Sequence, residues 1–268
     1  MFKMYNDLTT MYYCSAFFGF IAISVLLGIL KFQALAIFSI YIIWVFACSL
    51  LFNRLSNKRT EKNNALFENC QVVEYINAFE KILKKNKDLS MHKFIKVNLS
   101  SGYINNDEHK RALELLLSIN RKFPDDYNGL VYISCYYSNL FLCYAETGDL
   151  DNAAKALDNI KNVLKNPKLK SPWWDSCFLN WQQKCVLLDM YRGNYNNAEK
   201  YFLTMLDIAT TTINKVSFGY YLSQIYIKQQ NYEKSKEYLD FVIKYGGDTY
   251  FLDRAKESLI KIEHSQFV

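Results

Sequence analysis

The chain has 268 residues, of which 51% are hydrophobic, and it contains three prolines and nine glycines. An apolar fraction this high excludes a disordered chain, and so few prolines and glycines favour helices over a β-sandwich. The formal net charge is +6, with acidic and basic residues interspersed through the second half, which is typical of a solvated surface and argues against nucleic-acid binding.

Two long apolar runs occupy the N-terminal part of the chain. Residues 11–30 carry no charge, Lys31 interrupts, and residues 33–53 continue with few polar side chains. As a single helix this stretch would be about 63 Å long, whereas the hydrocarbon core of a bilayer is only ~30 Å thick. The pattern therefore predicts a transmembrane helical hairpin over residues 1–53, with spans at about 11–30 and 33–53 and a turn near Lys31.

Two alternatives to a retained hairpin are open. A buried hairpin in a soluble core would not need two successive uncharged runs of this length. The small residues at 34–36 resemble a signal-peptide cleavage site, but the preceding apolar run is longer than a usual signal core and Lys31 separates the two. In either membrane case the second span remains as an anchor.

The charges that follow the second run predict the orientation. Arg54, Lys58, Arg59 and Lys62 come directly after it, whereas the turn offers only Lys31. The positive-inside rule then predicts a multi-pass protein of the cell membrane, with the N-terminus and the rest of the chain in the cytoplasm. The seven cysteines include no Cys-x-x-Cys pair, which agrees with a reducing compartment and with small buried side chains.

A basic and polar stretch at residues 54–64 is predicted to be a linker, and residues 65–268 to form a helical domain. Its first helix is indicated by apolar residues at helical spacing from Leu66 to Leu83. Ser90 is predicted to cap the next helix. From there the pattern predicts helix pairs at about 90–104 and 107–122, 127–147 and 150–164, 173–192 and 195–210, and 212–229 and 232–245, with a capping helix near 248–263.

Each pair contains the same short pattern, a tight turn followed by a second helix that opens with a small residue. The small residues are Ala112, Ala153, Ala198 and Ser235. In the clearest copy, Gly148 permits the left-handed conformation that ends a helix, and Asp149 or Asp151 caps the helix that follows. A small residue at this place lets the two helices of a hairpin approach closely.

These motifs resemble the tetratricopeptide (TPR) repeat family. Leu99 with Tyr103 and Leu222 with Tyr226 match the family's pattern before the turn, and Pro124 falls where the family ends a second helix. The small residues lie about 41, 45 and 37 positions apart instead of the family's usual 34, and a turn-rich insertion at residues 166–172 explains the longest spacing. The resemblance implies an α-solenoid of about four helix pairs plus a capping helix.

The resemblance also implies where a partner would bind. In such a solenoid the first helix of each pair lines a concave groove that holds a protein or peptide partner. The family's inward-facing positions correspond here to Phe94, Val97, Asn180, Gln183, Tyr220, Gln224 and Lys228. The amides would bond to the backbone of a bound peptide, Tyr220 would pack on it, and Lys228 would meet a carboxylate.

Trp173 and Trp174 open the third pair. They are expected to fill the gap left by the insertion, and an exposed anchor for a partner is the alternative. The histidines His92, His109 and His264 have no partner at a spacing typical of a catalytic triad or a metal site. The scattered glycines exclude a phosphate-binding loop. We therefore expect no enzyme, no catalytic residues, no metal and no cofactor.

Together these features predict an all-α, membrane-anchored scaffold or adaptor whose repeats bind a protein or peptide near a lipid bilayer. The composition, rich in Lys, Asn, Ile and Tyr, is typical of a low-GC bacterium. In an alternative hypothesis the hairpin itself acts, as an accessory or assembly subunit of a transporter or secretion complex, through a loose face of small residues that includes Gly19 and Ala22. A hydrolase whose residues the sequence does not identify is a third hypothesis.

Overall fold

A computed structural model describes residues 13–25, 34–120 and 122–265, and all regular secondary structure in these ranges is helical. The helices are α1 (13–25), α2 (Ala34–Glu68), α3 (Val72–Lys85), α4 (Leu89–Asn105), α5 (His109–Leu117), α6 (Tyr127–Glu146), α7 (Leu150–Leu164), α8 (Trp173–Tyr191), α9 (Ala198–Ile208), α10 (Thr212–Lys228), α11 (Tyr232–Tyr245) and α12 (Tyr250–Ser265). The prediction of an all-α chain is confirmed for these residues.

The N-terminal region differs from the prediction. The first predicted span is described only over residues 13–25, and the turn expected at Lys31 lies outside the described residues. Among the described residues, no helix combines the length and the apolarity that crossing a membrane requires. The predicted transmembrane hairpin is therefore wrong, and so is the multi-pass membrane location that was inferred from it.

Helix α2 differs from the predicted second span in where it ends. It does not end at residue 53 but runs without a break through the predicted linker at 54–64 to Glu68, over 35 residues. One helix thus joins an apolar half to a half that carries Arg54, Lys58 and Lys62. The length of an apolar run does not define where a helix ends, and the two halves were therefore predicted as a span and a separate linker.

Helix α1 packs against the first half of α2. The indole Nε1 of Trp44 donates a hydrogen bond to the Ser15 carbonyl at 3.2 Å, and the ring centroids of Phe20 and Tyr41 lie 4.6 Å apart. Large apolar side chains on both helices remain exposed, Phe17 at 61% for example. The main hydrophobic core of the molecule lies elsewhere, in the helices from α3 onward.

From α4 onward the helices pack as the predicted pairs, α4 with α5, α6 with α7, α8 with α9 and α10 with α11. Their limits agree with the prediction within a few residues, except that α5 stops at Leu117 instead of residue 122. The small residue near the start of each second helix is at most 1% exposed. The predicted close approach at these positions is therefore confirmed.

The turns use local backbone chemistry, in part as predicted. Gly148 has a φ of 83°, in the left-handed region that a side chain would strain. Asp149 then caps α7, because its carboxylate accepts a hydrogen bond from the Asn152 N–H at 3.1 Å. The predicted cap of α4, Ser90, is wrong. The cap is Asp88, whose carboxylate accepts a hydrogen bond from the Ser90 N–H at 2.9 Å.

The insertion before the third pair contributes Leu169 to a small, separate apolar cluster. The other members of this cluster are Leu130, Val163 and Cys177. Trp174 packs against this cluster, and its Nε1 donates to the Leu164 carbonyl at 3.0 Å. Trp173 is 49% exposed and stacks on Tyr127. Filling the gap is therefore confirmed for Trp174 and not for Trp173.

The two ends of the helical array, which comprises α3 to α12, contact each other. Asp248, in the turn before α12, accepts hydrogen bonds from the backbone N–H groups of Val72 and Val73 at the start of α3, the latter at 3.0 Å. Its own N–H donates to the Cys70 carbonyl at 3.1 Å. Gly247 permits this approach, because a Cβ there would lie 2.3 Å from the same carbonyl oxygen. The array therefore closes on itself.

A polar cluster provides a second closing contact. The Arg254 guanidinium of α12 pairs with Glu146 at 2.9 Å and with Asp107 at 2.8 Å, at the ends of α6 and α4. Burial alone would lower the pKa of Arg254, but Glu146, Tyr250 and Asp107 together more than offset it, so the pKa is raised. His109 bonds to Asp107 at 3.1 Å, and burial lowers its pKa. The cluster holds α12 against the first two pairs.

Candidate functional site

Closure of the array leaves a chamber of about 650 Å³ at its centre. The first helices of the pairs, α4, α6, α8 and α10, form most of the wall, and the end of α2 and the start of α12 complete it. The volume lies within the roughly 300–1,000 Å³ of most ligand pockets. About half of the lining surface is polar, and its hydroxyl and amide side chains are those of Asn64, Ser101, Asn105, Ser134, Ser138, Asn139, Ser176, Asn180, Gln183, Asn214 and Ser217.

Each of the four first helices presents two residues, four positions apart, to the chamber. These pairs are Ser101 and Asn105 on α4, Ser134 and Ser138 on α6, Asn180 and Lys184 on α8, and Ser217 and Tyr221 on α10. Residues four apart lie on the same face of a helix, one turn from each other. Packing the first helices side by side therefore sets a row of mostly hydroxyl and amide groups around the chamber.

Hydrogen bonds between these side chains fix the wall. The amide of Asn139 donates to the hydroxyls of Ser100 and Ser101, both at 2.9 Å, and so joins α6 to α4. The amide of Asn180 donates to the Ser138 hydroxyl at 3.0 Å and joins α8 to α6. Buried polar groups are generally hydrogen-bonded, and for Asn139 and Asn180 the partners lie on neighbouring first helices. The chamber is therefore held in shape without a ligand.

Lys184 places a positive charge in this wall although it is only 7% exposed. Its ammonium donates one long hydrogen bond, 3.4 Å, to the Gln183 amide oxygen. Among the described residues, no carboxylate lies within 4 Å of it. Burial lowers the pKa of Lys184 from 10.5 to about 8, and the neighbouring Cys135 opposes this shift.

The other titratable groups of the lining are few. Glu68, exposed at the end of α2, is the acid among the lining residues that the structure describes. Burial raises the pKa of the Cys135 thiol to about 12 and also raises that of Cys177, so both thiols are neutral at physiological pH. Within the described ranges no three His, Cys, Asp or Glu side chains are grouped to hold a metal ion.

The structure brings only some of the residues predicted for the groove together. Asn180 and Gln183 line the chamber. Tyr220 and Gln224 instead line a separate cavity of about 160 Å³ beside Arg254. There the Tyr220 ring lies 5.4 Å from Phe251, because α12 covers the face of the fourth pair that the prediction left open.

The remaining predicted residues lie away from the chamber. Val97 is 1% exposed and belongs to the hydrophobic core, since α4 packs between α3 and α6. Phe94 packs edge-on against Phe123 and Tyr132, with ring centroids 5.9 and 4.7 Å away. Lys228 is exposed in the last turn of α10 and lines neither cavity.

Lys184 was missed by the sequence argument, although a signal for it was present. It lies four residues after Asn180 and therefore on the same helix face. The same step of four from Ser134 leads to Ser138, and from Ser101 to Asn105. Small polar residues repeated at this spacing on successive first helices would have predicted the chamber lining.

No protein-family model matches the chain, and comparison with curated proteins and with solved structures gives no match either. The resemblance to TPR repeats therefore stays a prediction. The function has to be inferred from the chamber itself.

Proposed function

We propose that the protein is an adaptor that binds an extended peptide segment of a partner protein in its central chamber. The supporting observation is the row of hydroxyl and amide groups that four successive first helices direct into one cavity. An extended peptide exposes N–H and C=O groups along its length, and such side chains can donate to and accept from both. Stacked helical pairs offer a repeated surface of this kind.

The apolar part of the lining fits the same ligand. Phe67, Leu142 and Phe251 also reach the chamber and can cover apolar side chains of a peptide. The volume is that of a ligand pocket, so it accommodates a short segment and not a folded domain. The hydrogen bonds that preform the wall reduce the entropy lost when a ligand binds.

A blocked chamber tests this proposal. Ser217 lines the chamber, and its hydroxyl donates only within its own helix, to the Asn214 carbonyl at 2.9 Å. Ser217→Trp therefore fills the space without breaking a bond between helices. Thr204→Trp is the matched control, because Thr204 is exposed on the outer helix α9 and bonds to its own helix at the Lys200 carbonyl.

The measurement is affinity selection from a library of acetylated, amidated pentapeptides, with mass spectrometry of the retained peptides. We expect the wild type and Thr204→Trp to retain the same peptides, and Ser217→Trp to lose them while its circular dichroism stays helical. Retention of no peptide by the wild type, or equal retention by Ser217→Trp, would contradict the proposal.

A further inference from the structure

Lys184 is an unusual residue in a chamber wall whose other lining side chains are mostly neutral. Its ammonium is almost completely buried, and its partner is a single amide oxygen at 3.4 Å. An isolated buried charge is unfavourable unless an opposite charge compensates it. None of the described carboxylates supplies that charge. The chamber thus has space beside a buried cation with which no described carboxylate pairs.

We infer that Lys184 binds a carboxylate of the peptide in the chamber, so that the partner's segment is acidic. This inference rests on the proposed function and names its ligand class. A buried ammonium forms a charge-assisted hydrogen bond with a carboxylate, which is stronger than a bond to a neutral carbonyl. A peptide with a Glu or Asp side chain should therefore bind beside Lys184 better than a neutral one.

A second donor lies beside Lys184. Asn180 is one helical turn away on the same face, and its amide nitrogen carries two hydrogens, of which Ser138 accepts one at 3.0 Å. The other hydrogen is suited to the second oxygen of a carboxylate. Asn180 and Lys184 together thus provide an amide and an ammonium on one side of the chamber.

The charge of the lining favours a carboxylate over a phosphate. Lys184 is the single basic residue of the described lining, and Glu68 adds a negative charge where α2 reaches the chamber. A phosphate group carries nearly two charges, which one ammonium does not balance, whereas a carboxylate carries one. A nucleotide or a phosphopeptide would need additional cations that this lining does not supply.

Two peptide pools that differ in one charge test the inference. Both are acetylated, amidated pentapeptides of otherwise non-acidic residues, with Glu at the centre in one pool and Gln in the other. The proteins are the wild type, Lys184→Met, and Lys200→Met as control, since Lys200 is exposed on the outer helix α9. Thermal melts and circular dichroism confirm that each variant is folded.

We expect the wild type and Lys200→Met to retain the Glu pool about tenfold better than the Gln pool. Lys184→Met should retain both pools equally, at the level of the Gln pool. Equal retention of the two pools by the wild type, or a Glu preference that survives in Lys184→Met, would overturn the inference and leave peptide binding intact. Retention of neither pool by the wild type would overturn peptide binding itself.

Two further probes separate the sources of the carboxylate. The Gln pool with a free C-terminus offers a terminal carboxylate, and glutarate offers a carboxylate without a peptide. Retention of the free-acid pool through Lys184 supports the inference with the peptide terminus as the source. Binding of glutarate alone, lost in Lys184→Met, would contradict a peptide as the occupant.

Discussion

Replacing the buried Lys184 by Met should stabilise the protein. The side chain is 7% exposed, and its burial lowers the pKa from 10.5 to about 8. Each pKa unit corresponds to about 1.4 kcal/mol, so keeping this ammonium charged in the folded state costs about 3 kcal/mol at pH 7. Met has a similar length and no charge. We therefore expect Lys184→Met to raise the free energy of unfolding by about 2–3 kcal/mol at pH 7.

The gain should depend on pH with a defined sign. Below pH 8 the lysine is charged in both states, and the full cost is present. Between pH 8 and 10.5 the unfolded chain binds more protons than the folded one, so the stability of the wild type rises with pH. The advantage of Lys184→Met should therefore fall by about 2 kcal/mol between pH 7 and pH 9.5, by the same linkage.

Urea denaturation of both proteins at pH 7 and pH 9.5 measures this difference. Buried tyrosines such as Tyr221, whose pKa burial raises, destabilise both proteins alike at high pH and cancel in the comparison. Lys200→Met, on the exposed face of α9, should change stability little at either pH. A Lys184→Met variant that is less stable than the wild type, or a difference that does not change with pH, would refute a buried, unpaired ammonium.

Three further predictions concern the closure of the array and are measured as free energies of unfolding. Gly148→Ala should cost about 1 kcal/mol, because the residue has a positive φ. Gly247→Ala should cost more, at least about 2 kcal/mol, because its φ is also positive and a Cβ there would in addition collide with Cys70. Asp248→Asn should cost about 1 kcal/mol, because it removes a charge from the N-terminus of α3. Arg254→Leu should cost about 2 kcal/mol, whereas Lys256→Leu, at an exposed pair on the same helix, should be nearly neutral.

These comparisons have clear contrary outcomes. Equal costs for the two glycine variants would show that the contact with Cys70 does not form. A neutral Asp248→Asn would show that the turn before α12 does not cap α3. A neutral Arg254→Leu would mean that Glu146 is solvated and unpaired, in conflict with its 11% side-chain exposure.

The helix pairs could be predicted because their signals are local. The turn at Gly148, the cap at Asp149 and the buried small residue Ala153 lie within six positions of each other. Each depends on backbone conformation or on contacts within one hairpin. Such information is contained in a short window of sequence, and the structure agrees with the predicted pairs there.

The closure and the chamber could not be predicted in the same way. The contact between Asp248 and Val72 joins residues 176 positions apart, and no local pattern indicates it. Without it, the face that carries Tyr220 was expected to be open, whereas α12 covers it. The prediction also ended α2 too early. The apolar run and the charged run differ in composition, but one continuous helix contains both. Lys184, in contrast, could have been predicted from Asn180, because a spacing of four residues places both on the same helix face.

The occupancy of the chamber by a peptide can be tested most directly with a photo-cross-linker. p-Benzoylphenylalanine is placed either at position 214, which lines the chamber, or at position 204 on the outer helix α9. Both proteins are irradiated with the peptides selected by the wild type, and cross-linked fragments are identified by mass spectrometry. Cross-links from position 214 and none from position 204 are predicted. Cross-links from position 204 alone would contradict binding in the central chamber.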